Sequence, residues 1–293
     1  MSYLFGRKYS IGITNNTGVS FDMANNTASY KQSETKYSNL RVVFEITRTL
    51  GKTPDKAVFQ LYNITEGKWS AVDIAKTAAK ITLKLGYNQI TPAVVYTGKA
   101  LTHERVIERT DTIDVFTCGD GHDVLTKTGI SRNYESGFNT GTIIEDLIKT
   151  VKSEGVELAG DIKKKIAEIK GLLKKQDTGF SVSGLLSSTL ETLLKPFNKT
   201  ITIQDDVLKI VEIGKEEVTG KYTILTPETG LIGSPSKTKD GLEFVALIQP
   251  GKFNPGQFVE IKSRDFDGRY KIVKSNFVGD THGNDWYVRG LCI

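Results

Sequence analysis

The residues best suited to catalysis are three histidines and two cysteines, which can serve as bases, nucleophiles or metal ligands. Cys118 and His122 lie four residues apart across Gly119-Asp120-Gly121, a spacing that would allow a thiolate–imidazole pair. The glycines more simply indicate a loop that leaves a strand, so we interpret this pair as structural. His103 falls in a predicted strand or turn with no catalytic partner nearby in sequence.

Other reactive patterns are equally incomplete. His282 lies in the polar segment Gly279–Trp286, where Asp, Thr and Asn side chains can bond local amides, and it has no second histidine nearby. Asp205-Asp206 and Glu216-Glu217 fall in predicted turns, and neither a Walker motif nor a CxxC pair occurs. We therefore predict no catalytic, cofactor-binding or metal site, and a protein that is not an enzyme.

The composition is that of a globular, β-rich protein. The 293 residues are 38% hydrophobic and 25% charged, which is enough apolar material for a real core. The net charge of +5 is modest and its signs are interspersed, whereas nucleic-acid binders concentrate their cations. Cys118 and Cys292 are expected to be buried free thiols. No signal-peptide core and no run of ~20 apolar residues occurs, so we expect a soluble protein made in a cytoplasm.

The first 130 residues show a two-residue period. Alternation of this kind predicts an antiparallel sheet with one buried face, and many such strands favour a barrel or sandwich. The buried sets are Val42, Phe44 and Ile46; Ala57, Phe59 and Leu61; and Ile81, Leu83 and Leu85. The polar stretch Asn15–Asn39 is predicted to be a long loop or arm. A loop of that length is usually functional, and docking on a neighbouring subunit is one such use.

Residues 131–215 change to a helical period. Thr142 and Glu145 form a capping-box pattern at the start of a helix, a second helix runs from about Asp161 to Lys175, and a third ends before Pro196. The apolar faces are Ile143, Ile144, Leu147, Ile148 and Val151; Ile162, Ile166, Ile169, Leu172 and Leu173; and Leu185, Leu186, Leu190, Leu193 and Leu194. A hairpin around Asp205-Asp206 completes a small α/β domain.

From residue 216 the two-residue period returns. Leu242, Phe244, Ala246 and Ile248 alternate, a hairpin is predicted around Asp267-Gly268, and Trp286–Leu291 makes the last strand. The predicted fold is therefore mainly β with a smaller α/β part. Two antiparallel β-barrel domains, residues 1–130 and 216–293, flank an α/β insert domain of residues 131–215.

The helix from Asp161 to Lys175 carries lysines opposite its isoleucines, at positions 163, 164, 165, 170, 174 and 175. A basic amphipathic helix can lie on a membrane or bind an acidic partner. No Trp or Phe occurs in it to anchor a lipid interface, so we favour a packed helix whose lysines face water.

The C-terminal segment resembles the C-terminal barrel of phage baseplate hub proteins, a group related to the base of type VI secretion spikes. The residues that carry the resemblance follow in order as Thr229–Pro235, Asp240-Gly241, Leu247–Pro250, Gly256–Ile261, Gly268–Ile272 and Gly279–Gly283 with Asp285-Trp286. The first segment resembles the first hub barrel at Val58–Asn63, Leu83–Tyr87 and Tyr96–Gly98. The middle segment matches in layout more than in residues.

The resemblance implies a structural function in the virion. Hubs of this kind are typically trimers with two barrels per subunit that resemble a tail-tube subunit, and they join a threefold spike to a sixfold tube through which DNA passes. The implied partners are the spike protein, a tube or tube-initiator protein and the tape-measure protein. Assembly in the bacterial host cytoplasm is expected, without specific nucleic-acid binding, stable membrane insertion or cofactors. The alternatives are a cell-wall-degrading tail hydrolase and a DNA-binding module that uses the lysine-rich helix.

Overall fold

The computed structural model describes residues 4, 6–14, 20–24, 37–38, 40–64, 79–172, 179–214 and 222–293. The chain divides into two compact units. Unit 1 comprises residues 1–48, 56–119 and 217–293, and unit 2 comprises residues 49–55 and 120–216. Each unit has a hydrophobic core of its own.

The described strands and helices are numbered here in chain order. The strands are β1 (Lys8–Thr14), β2 (Ser20–Ala24), β3 (Tyr37–Ser38), β4 (Val42–Thr49), β5 (Asp55–Tyr62), β6 (Lys80–Tyr87), β7 (Ile90–Glu108), β8 (Asp111–Asp120), β9 (Gly129–Tyr134), β10 (Glu157–Leu158), β11 (Phe180–Leu185), β12 (Lys199–Gln204), β13 (Val207–Glu212), β14 (Tyr222–Leu225), β15 (Ser236–Thr238), β16 (Gly241–Leu247), β17 (Phe258–Lys262), β18 (Asp267–Asp280) and β19 (Trp286–Cys292). The helices are α1 (His122–Thr126), α2 (Thr140–Ser153), α3 (Ile162–Leu172) and α4 (Leu186–Leu194).

Unit 1 is built on one large, mostly antiparallel sheet. Its main path runs β15-β16-β19-β18-β4-β5-β8-β7-β6-β1-β2-β3, and β17 joins β14 to β18 beside it. All the side chains predicted to face the core from alternating strand positions are buried: Val42, Phe44 and Ile46; Ala57, Phe59 and Leu61; Ile81, Leu83 and Leu85; and Leu242, Phe244, Ala246 and Ile248. The prediction of a mainly β protein is therefore confirmed, because one side of each strand lies in the core and the other does not.

The described strands do not form the two predicted closed barrels. β4, from the N-terminal segment, pairs directly with β18, from the C-terminal segment, so strands from both ends of the chain belong to one sheet. The single core of unit 1 likewise combines residues of both segments, such as Phe44 and Trp286. The division into three domains at residues 130 and 215 stays a prediction.

Two local predictions in unit 1 were wrong. Ser20–Ala24, expected within a loop, forms β2, because its backbone completes an antiparallel ladder with β1. The hairpin of β17 and β18 exists, but Asp267 and Gly268 lie inside β18. The reversal occurs at Ser263–Phe266, where the Ser263 hydroxyl accepts from the Phe266 amide at 3.1 Å and closes the turn.

Unit 2 packs four helices with two small sheets, β10-β13-β12 and β9-β11. The hairpin of β12 and β13 around Asp205-Asp206 and the helix that ends before Pro196 are confirmed. The expected capping box is wrong: α2 begins at Thr140, because Asn139 caps it by accepting from the Gly141 amide at 2.8 Å. The β9–β11 ribbon was not predicted.

The lysine-rich helix is described only in part, and its predicted end at Lys175 lies outside the described residues. α3 covers Ile162–Leu172, and residues 173–178 lie outside the described part of the chain. Ile162, Ile166 and Ile169 are buried as predicted. Leu172 is 73% exposed, so the prediction that it belongs to the packed face is wrong.

Candidate functional site

The cysteine–histidine pair has the properties of a structural element. Cys118 is completely buried in the core of unit 1, and burial raises the pKa of its thiol. His122 begins α1, with its Nδ1 atom 3.1 Å from the Thr126 hydroxyl one turn later. A nucleophilic cysteine needs a lowered pKa and access to substrate. Neither condition holds at Cys118.

The acidic pairs have structural partners where the structure describes them. The buried Asp120 carboxylate accepts from the backbone amides of Asp205 and Asp206, the latter at 3.0 Å. Asp205 and Asp206 both have positive φ, so these bonds hold a tight β-turn in place. Glu216 and Glu217 lie outside the described residues. Among the described residues no group of three His, Cys, Asp or Glu is placed to hold a metal ion.

His282 belongs to a turn, as predicted. Its amide donates to Asp280 Oδ1 at 2.9 Å, and its Nδ1 atom lies 3.0 Å from the Thr281 hydroxyl. The surrounding Gly279–Trp286 segment is part of the motif series on which the resemblance rests. The hydrogen bonds of this segment therefore show its structural role.

The turn after β18 fastens the two ends of unit 1 together. Arg41 donates from Nε and Nη2 to the Asp280 carboxylate, with the shorter contact at 2.7 Å. Val42 and Thr281 exchange two further hydrogen bonds, at 2.9 and 3.0 Å. Burial raises the pKa of Asp280, but its hydrogen bonds, above all that from Arg41, outweigh burial and hold this pKa below its usual value. The motif thus stabilises the joint between β4 and β18.

The most unusual polar group of unit 1 lies on the hairpin of β7 and β8. The Asp114 side chain is fully buried, and it accepts from His103 Nε2 at 2.8 Å and from Arg105 Nε at 2.9 Å. The His103 ring stacks on Phe116, with centroids 4.5 Å apart. Burial raises the pKa of Asp114, but the two donors outweigh it, so the net pKa lies below the usual value. The cluster braces the hairpin near its middle.

Sequence reasoning missed this cluster, although a signal for it exists. Asp114, Phe116 and Cys118 are all buried and occupy alternate positions in β8. A carboxylate on the inward face of a strand requires compensating partners. His103 and Arg105 supply them from β7 because the antiparallel register places these residues opposite Phe116 and Asp114.

The outer part of this hairpin, Leu101–Ile113, is called the arm here; it includes His103 and Arg105 of the cluster, and most of its residues are exposed. Val106 is 45% exposed and Ile107 is 76% exposed. These two side chains point to opposite faces of the hairpin, and its tip is held by Asn63, which donates to Asp111 at 2.9 Å and to the Thr112 carbonyl at 2.7 Å. An exposed apolar side chain of this kind can contribute to a contact surface.

A groove of about 410 Å³ lies on the outer face of the C-terminal strands of unit 1. Its volume is within the ~300–1,000 Å³ range of binding pockets. The register arranges its floor in two rows across β16, β19 and β18. The first row is Glu243, Leu291 and Lys274; the second is Val245, Arg289 and Asn276. Ser234, Ser236 and Asp240 line its rim. The groove depends on the pairing of β16 with β19, which are not consecutive strands, so no local pattern could have revealed it.

The lysine-rich helix uses part of its charge inside unit 2. Lys165 donates to the Ile210 carbonyl at 2.6 Å, and Lys170 pairs with Glu145 at 2.5 Å. Lys163 and Lys164 are exposed. The packed-helix interpretation is therefore confirmed for the described part of the helix. No helix in the described ranges is long and apolar enough to cross a membrane.

Comparison with known proteins adds fold relationships but no sequence relatives. No protein-family model matches the chain, and no curated protein matches it in sequence. Among solved structures, a tail protein from Neisseria meningitidis is similar at a TM-score of 0.63 and 8% identity, over 99% of this chain and 97% of that one. The 43 kDa tail protein of prophage MuSo2 from Shewanella oneidensis is similar at a TM-score of 0.62 and 11% identity, over 97% of each chain.

A third similar structure comes from a secretion system. It is an E. coli type VI secretion component that exhibits structural similarity to the bacteriophage T4 tail proteins gp27 and gp5. It matches at a TM-score of 0.57 and 11% identity, over 88% of this chain and 74% of that one. The chain therefore has the fold of phage tail proteins and of a type VI secretion component, which confirms the resemblance at the level of fold.

Proposed function

We propose that the chain is a structural subunit of a phage tail baseplate. In this proposal it forms a hub ring of three copies, joins a threefold spike to a sixfold tail tube, and leaves a passage for DNA. The observation that carries the proposal is the fold likeness to two tail proteins over nearly the whole length of both chains. The hub, its trimeric state and its partners go beyond that likeness and rest on the motif resemblance.

A ring places specific demands on a subunit. Each copy must present two different surfaces that fit each other, so that a rotation closes the assembly. Two tail-tube-like β modules per subunit, drawn from residues 1–130 and 216–293, would give six modules around the axis. The proposed partners are the spike protein, a tube or tube-initiator protein and the tape-measure protein.

Catalysis forms no part of the proposal. The residues that could have supported a hydrolase have structural partners: Cys118 is buried, His122 bonds within its own helix, and Asp120 holds a β-turn. A DNA-binding function for the lysine-rich helix is also disfavoured, because Lys165 and Lys170 are engaged inside unit 2.

Immunoelectron microscopy tests the proposal directly. Antibodies against the purified chain are applied to particles released from the host that encodes it. We expect label at the tail end distal to the head, and no clearing when the purified chain is tested on peptidoglycan zymograms. Label absent from tails, or a cleared zone that disappears in a His122→Ala variant, would overturn the proposal.

A further inference from the structure

The arm on β7 and β8 has one face that is both acidic and apolar. Side chains alternate along a strand, so Glu104, Val106 and Glu108 point to one side and Ile107 to the other. The side chains of Glu104, Val106 and Glu108 are all exposed. Asp111, opposite Glu108 in the register, adds a further carboxylate at the tip. Across the described residues, neither glutamate forms a salt bridge. On this acidic face Val106 therefore lies between two exposed carboxylates.

The groove on β16, β19 and β18 carries two cations beside Leu291 and two carboxylates, Asp240 and Glu243, at its other end. Lys274 and Arg289 are exposed cations on neighbouring strands, and Leu291 lies beside both on the groove floor. Glu243 and Lys274 are separated by β19, roughly 9–10 Å at the usual strand spacing, which explains why they do not pair. Within the part of the chain that the structure describes, neither Lys274 nor Arg289 forms a salt bridge. Arg289 instead stacks over the Tyr287 ring.

The geometry points to a contact between copies of this chain, in which the arm of one copy occupies the groove of the next. Val106 rests on Leu291, and Glu104 and Glu108 reach Lys274 and Arg289. Arg109, at the tip of the arm, comes to the acidic end of the groove at Asp240 and Glu243. Both the apolar centres and the signs of the charges match.

The choice of a second copy as occupant follows from this complementarity. Groups of opposite sign on two different surfaces of one unit, with no salt bridge to any described residue, favour heterologous, head-to-tail association. Such a contact propagates until rotation closes it into a ring. The inference deepens the proposed function and rests on it for the ring, but the contact itself can be measured in solution.

Site-directed disulfide formation tests the contact. Val106→Cys and Leu291→Cys variants, each with a different affinity tag, are mixed at high concentration and exposed to a mild oxidant. The native Cys118 and Cys292 are buried and remain in both chains. The matched control replaces Leu291→Cys with Lys56→Cys, an exposed position on β5 of the same sheet.

We expect the Val106–Leu291 heterodimer to form at least roughly tenfold faster than the control, because disulfides need Cβ atoms within ~4.5 Å. Equal rates for the two pairs would overturn the inference. Tail label without the cross-link would reject the arm–groove contact and leave the proposed function standing. The cross-link without tail label would do the reverse.

Charge reversal gives a second, independent test. The arm variant Glu104→Lys/Glu108→Lys and the groove variant Lys274→Glu/Arg289→Glu each bring like charges together, so self-association by sedimentation should weaken by roughly tenfold or more. Mixing the two variants restores opposite charges at every contact, and association should return. Unchanged association of either variant, or failure of the mixture to recover, contradicts the inference.

A charge control accompanies this test. Glu135→Lys/Glu154→Lys makes the same change in net charge as the arm variant at exposed positions of unit 2. Its self-association should match that of the unaltered chain. A loss as large as that of the arm variant would show that net charge is responsible, and would also contradict the inference.

Discussion

Replacing Asp114 with asparagine removes the negative charge from the cluster that Asp114 forms with His103 and Arg105. The side chain keeps nearly the same shape. The carboxylate accepts from His103 at 2.8 Å and from Arg105 at 2.9 and 3.2 Å. An asparagine amide turned either way can serve only part of this set of donors. The substitution therefore leaves Arg105 beside a neutral group that satisfies it poorly.

The expected loss of stability follows from how buried each partner is. Removing one member of a fully buried ion pair costs about 3–5 kcal/mol. Here the acid is fully buried, but the His103 and Arg105 side chains are 23% and 26% exposed, so both can regain some water. We therefore expect Asp114→Asn to lower the free energy of unfolding of unit 1 by about 2–3 kcal/mol. Hydrogen exchange of the β7 and β8 amides should accelerate with it.

The pH dependence of this loss of stability gives a second test of the prediction. The folded pKa of Asp114 lies below its unfolded value, so the carboxylate contributes stability above about pH 4 and loses it as pH falls through the folded pKa. Urea unfolding followed by tryptophan fluorescence should therefore show the largest difference between the two proteins at neutral pH and a smaller one in acid. Glu108→Gln, exposed on the same hairpin, is the control and should change little. An Asp114→Asn variant as stable as the parent at pH 7, or a difference that stays constant into acid, would refute the reasoning.

Three further predictions concern the joints and thiols of unit 1. Gly279→Ala should lower stability in urea unfolding by about 1–3 kcal/mol, because the new Cβ would lie 2.2 Å from Phe44 Cζ; a neutral result would contradict the packing. A double-mutant cycle of Arg41→Ala and Asp280→Ala should give a coupling energy of about 1 kcal/mol, limited by the exposure of Arg41; additive losses would mean no interaction. Burial raises the pKa of Cys292 to about 12, so iodoacetamide at pH 8 should label it only after denaturation; rapid labelling of the folded chain would disprove its burial.

The sequence predicts those parts of the fold that depend on local periodicity. The alternation around Phe44, Leu83 and Phe244 places each side chain correctly in the core, because one face of each strand is buried and the other is not. The helical period in the same way identifies the buried isoleucine face of α3. These features need only the chemistry of neighbouring residues.

Strand order and sheet closure depend on contacts that local periodicity does not encode. Nothing near β4 indicates that it pairs with β18, more than 200 residues later, so the sequence could not distinguish two barrels from one shared sheet. The turn at Ser263–Phe266 was missed because a serine hydroxyl closes it in place of the favoured Asp-Gly pair. The start of α2 was also mispredicted, because Asn139 and not Thr142 caps the helix, which begins at Thr140.

The candidate surfaces divide in the same way. The Asp114 cluster could have been found from a carboxylate on the inward face of β8. The groove could not, because Glu243, Leu291 and Lys274 become neighbours only when three strands pair. The arm lies between these cases: the length of β7 is local, but the exposure of Val106 and Ile107 depends on what the rest of the sheet leaves uncovered.

Cryo-electron microscopy of tails that contain the chain tests the central claim most directly. We expect three copies in one ring at the junction of spike and tube, with Val106 of each copy within van der Waals contact of Leu291 in the next. A reconstruction that accounts for all baseplate density without this chain would contradict the account.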